Sequence, residues 1–234
     1  REFKLHSLHK EAEFKALQAQ INPHFLYNTL NTLSCIGEFY EVSEVVSISD
    51  ALSEMFKYST YGKTLVTLEE EITNTRSFIR IMQIRYPDEF DVEMEVPERL
   101  RKAKVFKLML QPIVENAINH GLIPKAGKGK LKFQAETRGP LLALRIEDDG
   151  AGMNERQQHR LWEKLTDTQT GELSEGFSHS AYGKPGHIGL LNVYQRLKLH
   201  YGEMAGMHVR SAPGAGTVIE LSFPFEEAGE ERHD

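Results

Sequence analysis

The sequence predicts an α+β protein: an N-terminal helical hairpin that dimerises into a four-helix bundle, followed by an α/β sandwich. Three observations predict it. Before Gly62 the chain holds one glycine, Gly37, and one proline, Pro23, which is the composition of helix. Beyond it, alternating and helical stretches mix without βαβ regularity. The 234 residues, 40% hydrophobic and 9% aromatic, suffice for one to two domains with real cores.

The elements follow in order. Leu17, Ile21, His24, Asn28 and Asn31 recur at spacings of four and three, one face of a helix, with Gly37 as its C-terminal cap. Val45, Ser49, Leu52 and Phe56 repeat that spacing in a second helix. Joined by a short link, the two form an antiparallel hairpin, and the apolar stripe left on each predicts a homodimer. Thr67-Leu68-Glu69-Glu70 is a capping box. The helix it starts turns Ile72, Ile79, Met82 and Tyr86 inward and stops before Pro87. Val92, Met94 and Val96 alternate with acids as a strand, and residues 104–120 read as helix. Leu142, Leu144 and Ile146 mark a half-buried strand running into Asp148-Asp149-Gly150. Residues 154–165 are helical, and Leu190, Tyr194, Leu197 and Tyr201 mark another helix. The chain closes with a hairpin, 208–211 and 218–223, around Pro213-Gly214-Ala215-Gly216. These readings divide it into 1–88, 89–226 and a disordered tail, 227–234.

Lys and Arg number 28 against 34 Asp and Glu, a net charge of −6 that argues against nucleic acid as a partner. The one cysteine, Cys35, excludes a disulfide scaffold and is expected as a small buried apolar residue. No apolar run approaches the roughly 18 residues of a membrane span. The opening at Arg1 in mid-helix pattern suggests a soluble piece of a longer chain.

Four constellations carry chemistry. Glu115-Asn116-Ala117-Ile118-Asn119-His120-Gly121 ends a helix, and an amide oxygen there suits Mg²⁺, although a polar helix face would look the same. Asp148-Asp149-Gly150-Ala151-Gly152 follows a strand; such an Asp accepts a hydrogen bond from an exocyclic amine, although DxGxG is also a common turn. Gly183 to Leu190 is a glycine-rich loop opening a helix, an anion site by virtue of free amides and helix dipole. It closes the aperiodic stretch 166–187, whose length suggests a lid. Gly214-Ala215-Gly216-Thr217 places a hydroxyl beside Asp148.

Taken in that order, these motifs resemble the Bergerat nucleotide fold shared by histidine kinases, gyrase-type ATPases and MutL-like proteins. Gyrase-type hydrolases carry a Glu four residues before the Asn; here Pro112 stands there, which favours phosphoryl transfer over hydrolysis. Gln20-Ile21-Asn22-Pro23-His24-Phe25-Leu26-Tyr27-Asn28-Thr29-Leu30-Asn31 resembles the phospho-acceptor box of LytS/YehU-like sensor histidine kinases. Glu115–Gly121 and Gly189–Gly202 resemble the same family, and the likeness covers nearly all of 14–224.

That resemblance implies an ATP-dependent protein-histidine kinase. His24 is the phospho-acceptor, its imidazole placed beside a kink at Pro23. Asn28, one turn on, could orient the ring. Asn116 holds Mg²⁺ against ATP, and His120 lies in the nucleotide pocket. Asp148 and Thr217 select adenine, with Gly150 and Gly152 allowing close approach. Gly186, Gly189 and Leu190 end the phosphate lid. The implied partners are a second copy and a response-regulator receiver domain, with an upstream membrane sensor placing the chain on the cytoplasmic side of the plasma membrane. The pattern is broken by Phe25, where many kinases have an acid, by His187 in the lid, and by Asp149, whose position normally faces away from the base. A degenerate kinase acting as a nucleotide-binding interaction module is the alternative. A gyrase-type ATPase would want a Glu at Pro112, and an anti-sigma-factor-type serine kinase would not need residues 1–60.

Overall fold

The computed structural model describes residues 23–166 and 188–228. They form two compact units, one ending at Tyr61 and the other beginning at Gly62. Among the described residues, no helix is long and apolar enough to cross a membrane.

The first unit is a helical hairpin, α1 (Pro23–Phe39) and α2 (Ser43–Thr60). Lys57 Nζ sits 4.1 Å over the Tyr27 ring, and Ser34 Oγ donates to Asp50 Oδ1 at 2.7 Å. The partner numbers fall on one helix as they rise on the other, so the helices run antiparallel. Gly37 does not end α1 as expected; it lies buried in the last full turn. A Cβ there would stand 2.9 Å from Val46 Cγ2 and 3.1 Å from Val45 Cγ1, so the glycine serves close helix packing. The left-handed residue after the helix is Glu41, φ 56°. The Val42 amide donates to Gly37 O at 2.8 Å and the Glu41 amide to Glu38 O at 3.1 Å, which is a Schellman closure. Cys35 is exposed, a correction to its expected burial: it lies on the outer side of the hairpin.

The second unit starts with β1 (Leu65–Thr67), antiparallel to β3 (Lys104–Phe106). The capping box forms as read: Thr67 N donates to Glu70 Oε2 at 2.7 Å and Glu70 N to Thr67 Oγ1 at 3.2 Å. It opens α3 (Leu68–Arg85), with Ile72, Ile79 and Met82 buried and Tyr86 packed against the core. By packing α3 belongs with the sheet, so the division at 61/62 lies earlier than the 88/89 read from composition.

The sheet runs β2-β4-β5-β7-β6, from β2 (Phe90–Glu95), β4 (Gly129–Arg138), β5 (Leu141–Asp148), β6 (Gly206–Ala212) and β7 (Gly216–Pro224). Among the described residues only β2 and β4 pair in parallel. Leu131, Phe133, Leu142, Leu144, Ile146, Ile219, Leu221 and Phe223 turn to one buried face. Helices cover that face: the short α4 (Glu98–Arg101) follows β2, then come α5 (Gln111–Asn116), α6 (Glu155–Thr166) and α7 (Ile188–Tyr201). The opposite face is charged, with Lys130 on Glu93 and Arg138 on Glu220.

Residues 104–120 are not one helix. Val105 and Phe106 enter β3, Leu108 takes φ 59°, and α5 begins only at Gln111, with Pro112 in its first turn where no amide is needed. After Asn116 the helix widens into a π-turn, Ala117–Leu122. The expected tail starts too early at 227: Glu227 bridges Ala103 and the Ala228 amide donates to Lys102 O at 2.9 Å. Residues 229–234 lie outside the described residues.

Candidate functional site

Sheet register brings Asp148 and Thr217 together at one end, with Gly150 and Gly152 in the turn that follows. Asp148, the last residue of β5, pairs with Thr217 of β7, which pairs with Ser211 of β6. Asp148 is 4% exposed, and its Oδ1 accepts the Gly150 amide at 3.0 Å. Burial pushes its carboxyl up to about 6, against the pull of the Gly150 and Thr217 amides. A buried carboxylate held this high has acceptor capacity its neighbours do not meet, which suits an incoming N–H donor.

Gly121, at the end of the π-turn, is the residue the sequence reading left without a specific role. A Cβ on it would stand 2.5 Å from Asp148 Oδ1, and a Cβ on Gly150 would stand 2.2 Å from the Gly121 carbonyl carbon. The Ala151 amide donates to Gly121 O at 2.9 Å. Gly150 therefore lets two backbone segments meet beside Asp148, and that contact opens the wall of the site. Gly152, φ 66°, packs on Ala212, whose oxygen a Cβ would meet at 1.9 Å.

Ser211 was also missed. It accepts the Met153 amide at 2.8 Å, donates to Gly216 O at 2.8 Å and lies 2.9 Å from Thr217 Oγ1. A serine has one proton, so with that proton on Gly216 O the Thr217 hydroxyl donates to Ser211. The lone pairs of Thr217 are then left for a ligand. Pairing β6 with β7 around Gly214 would have placed Ser211 opposite Thr217. Asp149 turns toward β4, accepting the Lys130 amide at 2.7 Å and Lys125 Nζ at 2.9 Å.

Asn116 is half-buried at the end of α5, and His120 is exposed on the π-turn. Burial raises the neighbouring Glu115 carboxyl, with His120 pulling it back. Among the described residues no three His, Cys, Asp or Glu side chains group as metal ligands. The Asn116 oxygen fits a cation that takes its remaining ligands from phosphate and water. Gly189 lies against Pro112, 3.2 Å from a built Cβ to Pro112 Cβ. Leu190 is 1% exposed and packs in the core of the sheet unit. Gly186, His187 and the rest of the expected lid from 167 lie outside the described residues.

His24 and Asn28 belong to the first unit, both exposed on α1. Asn28 Nδ2 lies 3.2 Å from His24 Nδ1. Ala19, whose carbonyl the expected kink involves, lies outside the described residues.

The sequence model of the family described as "Histidine kinase-, DNA gyrase B-, and HSP90-like ATPase" matches residues 102–227, more than half of the chain. The chain belongs to this ATPase family. A second family, "Histidine kinase", matches residues 12–90. Among curated relatives, "Sensor histidine kinase YesM" of Bacillus subtilis is 30% identical, covering 92% of this chain and 34% of that protein. "Sensor protein LytS" of Bacillus anthracis is 28% identical over 95% of this chain and 35% of its own length. "Sensor histidine kinase YpdA" of Escherichia coli is 31% identical over 94% and 35%. The chain thus spans about a third of the length of these relatives. A solved histidine kinase domain from Erythrobacter litoralis EL346 aligns over 86% of this chain and 95% of that one, with a TM-score of 0.46 and 16% identity. In this family member, family-match boundaries and packing differ. The first family match runs through α3 to residue 90, while α3 packs with the sheet.

Proposed function

We propose that this chain is the dimerisation and ATP-binding portion of a two-component sensor kinase, which phosphorylates His24 from ATP and passes the group to a response regulator. The observation that carries the reading is an exposed histidine with a carboxamide at its Nδ1, in a chain whose second unit belongs to an ATPase family.

The Asn28 contact supplies a reason why no base is needed. A flip of the carboxamide exchanges nitrogen and oxygen at one place. With Oδ1 turned to the ring it accepts from Nδ1–H, and Nε2 keeps its lone pair. Nε2 then attacks the terminal phosphorus of ATP, the N–P bond forms as the bond to the bridging oxygen breaks, and ADP leaves with the electron pair. The nucleophilic nitrogen has no proton to lose, so an acid in place of Phe25 is not required. Asn28 Oδ1 meets the positive charge that grows on the ring. The phosphoryl group then passes to an aspartate carboxylate of the receiver, an O–P bond forming as N–P breaks.

Asp148 would accept the exocyclic amine of adenine, with Thr217 beside it. Mg²⁺, held by the Asn116 oxygen with His120 nearby, would neutralise phosphate charge. The exposed apolar residues of the hairpin would pair with a second copy into a four-helix bundle. An upstream sensor would place the region on the cytoplasmic side of a membrane.

The test is incubation with γ-labelled ATP. An acid-labile, base-stable label on the wild type and none on His24→Ala supports the proposal. Nucleotide binding without any label leaves the interaction-module reading instead, and steady phosphate release without label points to a hydrolase.

A further inference from the structure

Glu71 is a fully buried carboxylate that the proposed chemistry does not use. It stands in the first turn of α3 and reaches across to the turn before α5. The amides of Leu108, Met109 and Leu110 all donate to it, the last two at 2.8 and 3.0 Å. Leu108 is held at φ 59° as the chain wraps the carboxylate. Lys107 flanks the site: burial lowers its ammonium, with Glu71 and Glu70 pulling it back up. One turn along α3, Asn74 Nδ2 donates to Gln111 Oε1 at 2.9 Å, fixing the first residue of α5.

This face of α3 is costly as mere packing. Glu71, Asn74, Thr75 and Ser77 are all buried, and among the described residues Asn74 Oδ1 and Thr75 Oγ1 have no hydrogen-bond partner. An apolar face would stabilise the unit more. What the polar face does is fix one point in space, the start of α5. Asn116 is the last residue of α5, about 7.5 Å along its axis from Gln111 at 1.5 Å per residue. So short a helix moves as one piece. Pro112, its second residue, is also the contact for Gly189 at the start of α7.

Resting on the kinase reading, we propose that Glu71 and Asn74 are positioning residues for phosphoryl transfer: they set the start of α5 and thereby where the Asn116 oxygen meets the metal–phosphate group. They do not touch the adenine end of the site, where Asp148 is held by β5, β7 and Gly150.

The test separates the two ends. ADP binding to the 234-residue protein is measured with EDTA and again with Mg²⁺. In Glu71→Gln, binding in EDTA stays within about twofold, while the gain in affinity given by Mg²⁺ falls on the order of tenfold, as for residues that orient metal ligands. In the nucleotide-free variant the Met109 and Leu110 amides exchange faster, and the Gly150 amide keeps its protection. A parallel loss in both conditions, or an unchanged Mg²⁺ gain, overturns the proposal. Should Glu71→Gln fail to fold by circular dichroism, Asn74→Ala carries the same test with a loss of about threefold. An unchanged Mg²⁺ gain there overturns it equally. Wild-type protein that binds no ADP in either condition overturns the kinase reading itself, and this inference with it.

Discussion

The two units are built on opposite terms. The hairpin buries Leu30 and the small residues Ala51, Ser34, Ser49 and Ser53, and leaves Phe25, Leu33, Ile36, Phe39 and Leu52 exposed. The sheet unit buries a continuous core from Leu68 to Phe223 and pairs charges such as Lys130–Glu93 and Arg138–Glu220 on the opposite face of its sheet. Small buried side chains bring helices close but remove little apolar area from water, so the hairpin gains little by itself. The sheet unit has apolar area to spare and carries unfavourable features in it: the Asp148 carboxylate and the polar face of α3. The comparison teaches that stability and chemistry are distributed unequally. On the proposed reading a second copy would complete the hairpin, while the sheet unit has core enough to carry buried polar groups.

The largest effect should come from the exposed stripe. Leu33→Ser with Ile36→Ser changes four apolar side chains per dimer, at about 1.5 kcal/mol or more each. The dimer should weaken by about ten-thousandfold, read as a halved mass by light scattering, with the sheet unit's unfolding unchanged. A wild type that is already monomeric at high concentration breaks the comparison at its root.

Asp148→Asn comes next. Losing a charged hydrogen-bond acceptor should cost on the order of 10- to 100-fold in nucleotide affinity. The fold should gain, because the carboxyl is raised from 3.8 to about 6 in the native state by burial. Between those values the native protein holds a proton that the unfolded chain has lost. This group therefore favours the fold at low pH, and the benefit is lost as pH rises through about 6. At pH 7.5 the asparagine removes that penalty, by up to about 3 kcal/mol. Wild-type nucleotide affinity should run the other way, falling below pH about 6. Thermal melts and binding isotherms at pH 5 and 7.5 check both trends.

Gly121→Ala should lower the sheet unit's stability by about 1–3 kcal/mol through overpacking on Asp148, and weaken nucleotide binding with it. The hairpin should be unaffected, as denaturation followed by circular dichroism would show. The smallest effect is at Glu41. Its left-handed conformation suits glycine, so Glu41→Gly should stabilise the hairpin by about 1 kcal/mol and leave the sheet unit alone. A destabilised hairpin would mean that the Glu41 side chain has a role of its own.

Much of this fold is legible in local pattern. The capping box at Thr67, the stop before Pro87, the alternation in β5 and the hairpin around Gly214 all depend on neighbours within a few residues. β4 carries the same signal, Leu131, Phe133 and Ala135 alternating with polar residues, yet the sequence reading assigns it no element. The run 104–120 reads as helix because apolar residues recur, whereas β3 exists only because β1, some forty residues earlier, pairs with it. Cys35 reads as buried from its type, and only packing decides which side of α1 faces α2.

By itself the sequence determined that His24 sits on a helix with Asn28 one turn away, and that Asp148 ends a strand before a glycine turn. Both are matters of spacing, and backbone geometry converts spacing into position without help from elsewhere. Tertiary structure alone decided that Gly121 lies against Asp148, that Ser211 holds the Met153 amide, and that the Glu71 carboxylate holds the turn before α5. Those contacts join segments far apart in the chain. They arise from sheet register and from the need of each buried polar group for a partner, neither of which any local window contains.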